Sequence, residues 1–312
     1  MTVARLGGAA LTASLLLVAG ADAQVHTYQT GQDISPAYEG WEENPDGSFN
    51  LVFGYMNRNW GEELDIPVGE GNFFSPGAED RGQPTHFYPR RNRFTFKVRV
   101  PADFGDQELV WTLNVRGSEE RAYGSLRTDY KLDYMVIASE TGALGIGVSD
   151  SIMRSNTPPQ VELVGEPERR VSVGQPVTLV ARVADDGIPR TVRRPPPRPR
   201  EGPPRLPPAA LRPPSRIAVD KELGLHLAWF LYRGDGAVTF DPPQIKTWED
   251  TRAGANSPWA PLWRAPEAPA NGEYTVQVSF DRPGTYVLRG RADDGGLYDD
   301  TEVTIIVAPV SD

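Results

Sequence analysis

The chain has 312 residues with 31 Gly, 30 Pro, no Cys and a net charge of −10. These numbers exclude disulfides, thiolate metal sites and a thiol nucleophile, and the acidic balance argues against nucleic acid as a partner of the whole chain. A hydrophobic share of 39% with seven Trp suffices for real cores, and Gly and Pro scattered among short β-branched runs predict an all-β protein.

In chain order, the first 23 residues predict a secretory signal. Arg5 supplies the positive start, Leu11 to Val18 the apolar centre, and Ala21-Asp22-Ala23 the small-residue cleavage site before Gln24. The apolar run is short for a bilayer span, and no later segment supplies the roughly 18 consecutive apolar residues of one. The mature chain is expected to be exported, to the periplasm or outside the cell. Its length suggests two domains, residues 25–150 and 160–310. The linker between them, 151–159, contains Asn156-Thr-Pro-Pro159, whose prolines favour an extended backbone.

In the first domain, Ser48–Tyr55, Phe94–Val100 and Glu108–Val115 read as strands, with Leu109, Trp111 and Leu113 sharing one face, and Leu132–Ala138 reads as a further strand. Asn44-Pro-Asp-Gly47 and Pro101-Ala-Asp-Phe-Gly105 are turns, because Pro fixes φ and Gly accepts φ > 0. Residues 60–91 form a long connection. Strands at this spacing predict a β-sandwich. Tyr55, Trp60, His86 and Tyr88 set aromatics beside hydrogen-bonding groups, as a sugar or peptide groove would. The same residues would serve equally as apolar lids over the ends of a sandwich. The three histidines, His26, His86 and His226, show no HxxxH or HExxH spacing. A copper grip by His26 at the mature N-terminus with His86 would need cleavage after Val25, a poor signal site. His226, in the apolar run Leu225–Leu231, reads as a strand residue. No GxSxG, P-loop or dinucleotide fingerprint occurs.

In the second domain, strands are expected at Val161–Val164, Val171–Val173, Pro176–Ala184, Gly224–Tyr232, Ala237–Phe240 and Gln244–Trp248, then at Glu273–Phe280, Thr285–Ala292 and Thr301–Val307. Val276, Val278 and Phe280 alternate with Thr275, Gln277 and Ser279, so one face is dry and the other wet. Residues 189–216 interrupt this pattern with eight arginines against Glu201 alone, a net +7 that leaves −17 on the rest. Eleven prolines between Pro189 and Pro214 make this insertion extended or disordered. It reads either as a tolerated surface loop or as a basic polyproline ligand for an acidic surface, with Arg190, Arg193, Arg194, Arg198 and Arg200 as contacts.

Val177-Thr-Leu-Val-Ala-Arg-Val-Ala-Asp-Asp-Gly187, Trp229 with Gly234-Asp-Gly236, and Pro283-Gly-Thr-Tyr-Val-Leu288 followed by Asp293-Asp-Gly295 resemble the PKD family of extracellular immunoglobulin-like sandwiches. The resemblance covers about half the mature chain. It implies a seven-stranded fold used for adhesion, spacing, or binding proteins and carbohydrates. The chain departs from the family's Trp-x-Phe-Gly-Asp-Gly, here stretched to WFLYRGDG, and in its long connection after Val183.

In such a sandwich, a tyrosine two positions before the core residue of strand F ties a corner through its hydroxyl, and Tyr286 stands two before Leu288. Trp229 would be the strand-C core tryptophan, with Leu179 or Ala181 facing Leu288 where antibodies place a disulfide. The B–C and F–G loops emerge at one end, which gathers Asp185, Asp186, Asp293, Asp294, Asp299 and Asp300. These six would hold Ca²⁺, serve as turn formers, or be neutralised by Arg190, Arg193 and Arg194. The spacing of a full calcium loop is missing, which favours the arginines. Trp259 and Trp263 on a proline-shaped loop would stack on sugar rings or cover a sheet edge.

Together these readings describe two tandem β-sandwiches, the second PKD-like, in an exported protein without catalysis or cofactor. Its partner would be a protein or an envelope or extracellular polysaccharide. Two alternatives stay open, a carbohydrate-binding accessory module and a hydrolase built on scattered carboxylates.

Overall fold

The computed structural model describes residues 28–140, 151–190, 224–245, 247 and 266–310. The predicted signal, most of the Arg/Pro-rich insertion, and Trp259 and Trp263 lie outside these residues. Among them no helix is long and apolar enough to cross a membrane. The protein is all-β, two sandwiches in tandem.

The first sandwich packs two three-stranded sheets. One orders β1 (Ile34–Glu43), β2 (Phe49–Asn57) and β6 (Arg90–Val100); the other orders β4 (Asn72–Ser75), β7 (Leu109–Val115) and β8 (Ser118–Gly124). Between β4 and β6 lies β5 (His86–Phe87), which pairs with β3 (Leu64–Asp65). The core is aromatic: the Phe53 ring lies 5.3 Å from Phe74 and 5.5 Å from Phe96, and Trp111 stands edge-on to Phe96 at 4.9 Å. Trp111 is wholly buried, so its Nε1 needs an acceptor and donates to Asn72 Oδ1 at 2.9 Å.

The long connection expected over 60–91 carries three of these strands, and β1 and β8 also lie where no strand is expected. Pro36 and the bulge at Gly40 break the alternation of β1. Gly40 has φ +140, and a Cβ there would sit 2.3 Å from the Tyr130 carbonyl oxygen. The strand expected over Leu132–Ala138 is instead helix α1 (Tyr134–Glu140). Asp133 caps its start by accepting from the Val136 N–H at 2.8 Å, and Ile137 and Ala138 are buried.

The second sandwich packs two four-stranded sheets. One orders β13 (Val238–Asp241), β14 (Glu273–Phe280), β11 (Val177–Ala184) and β9 (Gln160–Leu163). The other orders β10 (Glu168–Ser172), β16 (Tyr298–Ala308), β15 (Gly284–Asp293) and β12 (His226–Arg233). This is the immunoglobulin arrangement, with strands A, B, E and D on one sheet and C, F and G on the other. Gln244, Ile245 and Thr247 of the expected strand Gln244–Trp248 are not in a strand.

Tyr286 is fully buried and its hydroxyl donates to the Arg282 carbonyl at 3.0 Å, the expected corner. Trp229 is buried in one cluster with Leu179, Ala181 and Leu288. Gly290 opposes it in the register, and a Cβ there would meet the indole at 3.0 Å. Only glycine leaves the ring its room.

The two sandwich cores meet on one strand. Apart from Arg233 at its end, every residue of β12 is buried. Leu227, Trp229 and Leu231 face the second core, while Phe230 and Tyr232 belong to the aromatic core of the first. A continuous apolar run is what a strand dry on both faces requires, and Leu227–Tyr232 is such a run.

Candidate functional site

Where β12 meets the first sandwich, residues 80–88 dock along its free edge. Thr85 N–H donates to the Tyr232 carbonyl at 3.1 Å, and Gly234 N–H to Thr85 Oγ1 at 3.1 Å. Leu231 N–H donates to the Tyr88 hydroxyl at 2.9 Å, and the Tyr232 hydroxyl donates to the Gly82 carbonyl. Arg233 forks onto Asp80 at 2.7 and 3.0 Å and also reaches the Gln83 carbonyl at 2.8 Å. The docking is not a strand ladder: one main-chain bond, from Thr85 to Tyr232, is surrounded by side-chain bonds that fix the segment along the edge.

Arg289 and Arg291 of β15 complete the seam. In the register they stand opposite Glu302 and Asp300, on the side of β15 away from Leu288 and Ala292. A strand facing water would leave such arginines solvated. Here Arg289 stacks on Tyr232 at 3.5 Å, bonds Glu302 and donates to the Thr95 carbonyl. Arg291 lies 4.1 Å over Tyr298, grips Asp300 with two bonds of 2.8 Å and donates to the Phe94 carbonyl at 2.9 Å. Burial alone would lower the Arg291 pKa, but Asp300 and the bonds to it outweigh this and raise it. Each buried cation thus has a carboxylate and a π-face, which is what keeps such burial tolerable. Phe94 itself has φ +49, a costly conformation for a bulky residue, and its ring stacks on Tyr298 at 6.2 Å.

Three of the four ring-bearing candidates of the first sandwich, Tyr55, His86 and Tyr88, belong to this seam. Tyr55 is buried and its hydroxyl accepts from the Tyr88 N–H at 2.9 Å. His86 is buried between Asp65 and Glu63, with Tyr88 edge-on at 4.6 Å. Tyr55 and His86 therefore offer no open face to a sugar ring; they act as lids, and the lid closes on the second sandwich. Trp60 stands apart, half-buried under Arg90 at 4.1 Å. A cavity of about 10 Å³, lined by Tyr55, His86, Tyr88, Tyr232 and Arg291 among others, has room for roughly one water.

The six aspartates at the other end of the second sandwich have separate duties. Asp300 serves Arg291, and Asp299 accepts from the Val161 N–H at 3.1 Å. Asp185 and Asp293 each cap a glycine N–H two residues on. Asp186 accepts from the Thr157 N–H at 2.9 Å, the Thr157 hydroxyl at 2.7 Å and the Ile188 N–H at 2.9 Å. Asp294 is 1% exposed; it accepts from the Gly296 and Leu297 amides and from Asn156 Nδ2 at 3.0 Å. Burial pushes its carboxyl up to about 7 against those bonds. Among the described residues no three His, Cys, Asp or Glu side chains are grouped to hold a metal. Among the described residues, the cations that reach these aspartates come from the sheet: Arg291 grips Asp300, and Arg289 lies 4.0 Å from it. Arg190 is exposed, and Arg193, Arg194, Arg198 and Arg200 lie outside the described residues.

Asn156 and Thr157, expected in a linker, thus tie the B–C and F–G turns together. Arg289, Arg291 and Asn156 were not among the candidates. The sequence signal for the arginines is only indirect: two charges flank Gly290 on a strand whose sheet neighbour holds the apolar run Leu227–Tyr232.

No protein-family model and no curated protein matches the chain. Solved structures align to it loosely. The S-layer protein SbsC, domains 4 and 5, has 8% identity over 89% of this chain and 98% of that one, with a TM-score of 0.22. The Yersinia pseudotuberculosis adhesin InvE has 12% identity over 88% and 58%, with a TM-score of 0.22. The Clostridium thermocellum CbhA fibronectin(III)-like modules have 10% identity over 89% and 95%, with a TM-score of 0.21. Likenesses of this size carry no information about function.

Proposed function

We propose that the mature chain is an exported, non-catalytic scaffold that binds a protein or an acidic surface polymer, with its PKD-like half as one wall of a stiff two-sandwich body. The observation that supports this is the seam. Its arginines, tyrosines and histidine spend their bonding on carboxylates and backbone groups inside the protein, joining two sandwiches that could have been separate beads. A molecule so joined holds surface loops at a fixed separation, which suits spacing or adhesion. The Arg/Pro-rich insertion leaves the second sandwich between β11 and β12, and its charge of +7 against an acidic body suits a polyanionic contact.

The test immobilises residues 24–312 and the same chain with 189–214 replaced by a Gly-Ser bridge. Each is presented with solubilised envelope proteins and with purified acidic envelope polysaccharide. Saturable, salt-sensitive retention lost with the insertion is the expected result. Retention that survives the replacement moves the contact off the insertion, and no saturable retention on either chain contradicts the proposal.

A further inference from the structure

We infer that His86 is a pH-sensitive pin in the seam: as an imidazolium bridging Asp65 and Glu63 it holds residues 82–88 against β12, and losing its proton loosens one sandwich from the other. The geometry requires the charged form. Nδ1 lies 2.7 Å from Asp65 Oδ1 and Nε2 lies 3.1 Å from Glu63 Oε2. An ionised carboxylate only accepts, so both ring nitrogens must carry hydrogen. The two nitrogens point to opposite sides of the ring, so the trio clamps the imidazole rather than converging on an ion.

His86 sits inside the docked segment. It pairs with Asp65 in the β3–β5 ladder, Thr85 before it bonds Tyr232 and Gly234, and Tyr88 after it receives the Leu231 N–H. Deprotonation turns one ring nitrogen into an acceptor facing a carboxylate. One bond is then lost, and a lone pair is set against a negative oxygen in the ladder that ends one residue before Tyr88.

The other ionisable groups facing His86 do not compete for this titration. The Tyr55, Tyr88 and Tyr232 hydroxyls are all pushed up by burial, Tyr232 to about 12. Tyr286, which feels Asp65, is also raised. Arg291 is neutralised by Asp300, and Arg93 pairs with Glu140 at 2.7 Å. For His86 itself burial favours the neutral ring, but the bonds to Asp65 and Glu63 and their charges outweigh it and raise the pKa above 6.5. The pin is complete below that ordinary value and is lost as the pH rises through the raised one.

The cysteine-free chain allows a direct test. Asp103→Cys and Glu166→Cys place one spin label on an exposed turn of each sandwich, and the inter-label distance distribution is read from about pH 5.5 to about pH 9.5, bracketing the imidazole range. A narrow distribution at the acid end and a broad one at the alkaline end is expected, with the midpoint at the His86 imidazole titration seen by NMR. Glu63 is half exposed, so Glu63→Gln spares the fold, removes one charge and should move that midpoint to lower pH. One unchanging distribution across the range, or a midpoint that ignores Glu63→Gln, overturns the inference.

Discussion

β12 and β14 are strands of the same sandwich and eight residues long, yet only one of them alternates. β14 buries Val276, Val278 and Phe280 and exposes Thr275 and Gln277, because one of its faces meets a core and the other meets water. β12 buries both faces because two cores meet on it. Alternation in a sequence thus counts layers: a strand that loses it while keeping strand length has a second layer on its far side.

The largest way to break this contrast is to cut the far face of β12. Phe230→Ala opens a cavity among Tyr88, Tyr232 and the first core, at a cost of about 3–5 kcal/mol. Thr275→Ala on the wet face of β14 should stay within about 0.5 kcal/mol. Urea unfolding of the two variants checks both; equal costs would abolish the distinction. Gly290→Ala tests the near face, since its Cβ would sit 3.0 Å from the Trp229 indole. Overpacking of this kind should cost about 1–3 kcal/mol, read as a lower melting temperature.

Smaller again is Tyr286→Phe, which keeps the ring but removes the bond to the Arg282 carbonyl, for about 1–2 kcal/mol in urea. Asp294→Asn sharpens the comparison at the loop end and is read as a slope rather than a drop. Its folded carboxyl titrates near 7 against 3.8 for the free group, so the folded state holds the proton longer. Its contribution is full below about pH 4 and is lost as pH rises to about 7. The variant keeps an oxygen for the Gly296 and Leu297 amides, and Asn156, whose Oδ1 has no partner among the described residues, can turn to accept the new amide. Stability of the variant should therefore lose that part of its pH dependence.

The second sandwich was legible because its signals are local. Tyr286 before Leu288, the Asp-Gly turns and the alternation in β11 and β14 each follow from neighbours in sequence. The first sandwich was half legible. Its central strands alternate, but β1 bends at Gly40, and the apolar pattern over 132–138 predicts a strand where the Asp133 cap makes a helix. In sequence Tyr55 and His86 suit a groove or lids equally, and what decides between them lies more than a hundred residues away on β12. Arg289 and Arg291 escaped for the same reason, since a charge on a strand reads as wet until its cover is known.

The central claim is that β12 makes two sandwiches fold as one body. Differential scanning calorimetry of the mature chain tests it most directly. One transition, with calorimetric and van't Hoff enthalpies equal, is the predicted result, and Phe230→Ala combined with Tyr232→Ala should split it in two. Two separate transitions in the unaltered protein would contradict this coupling through β12.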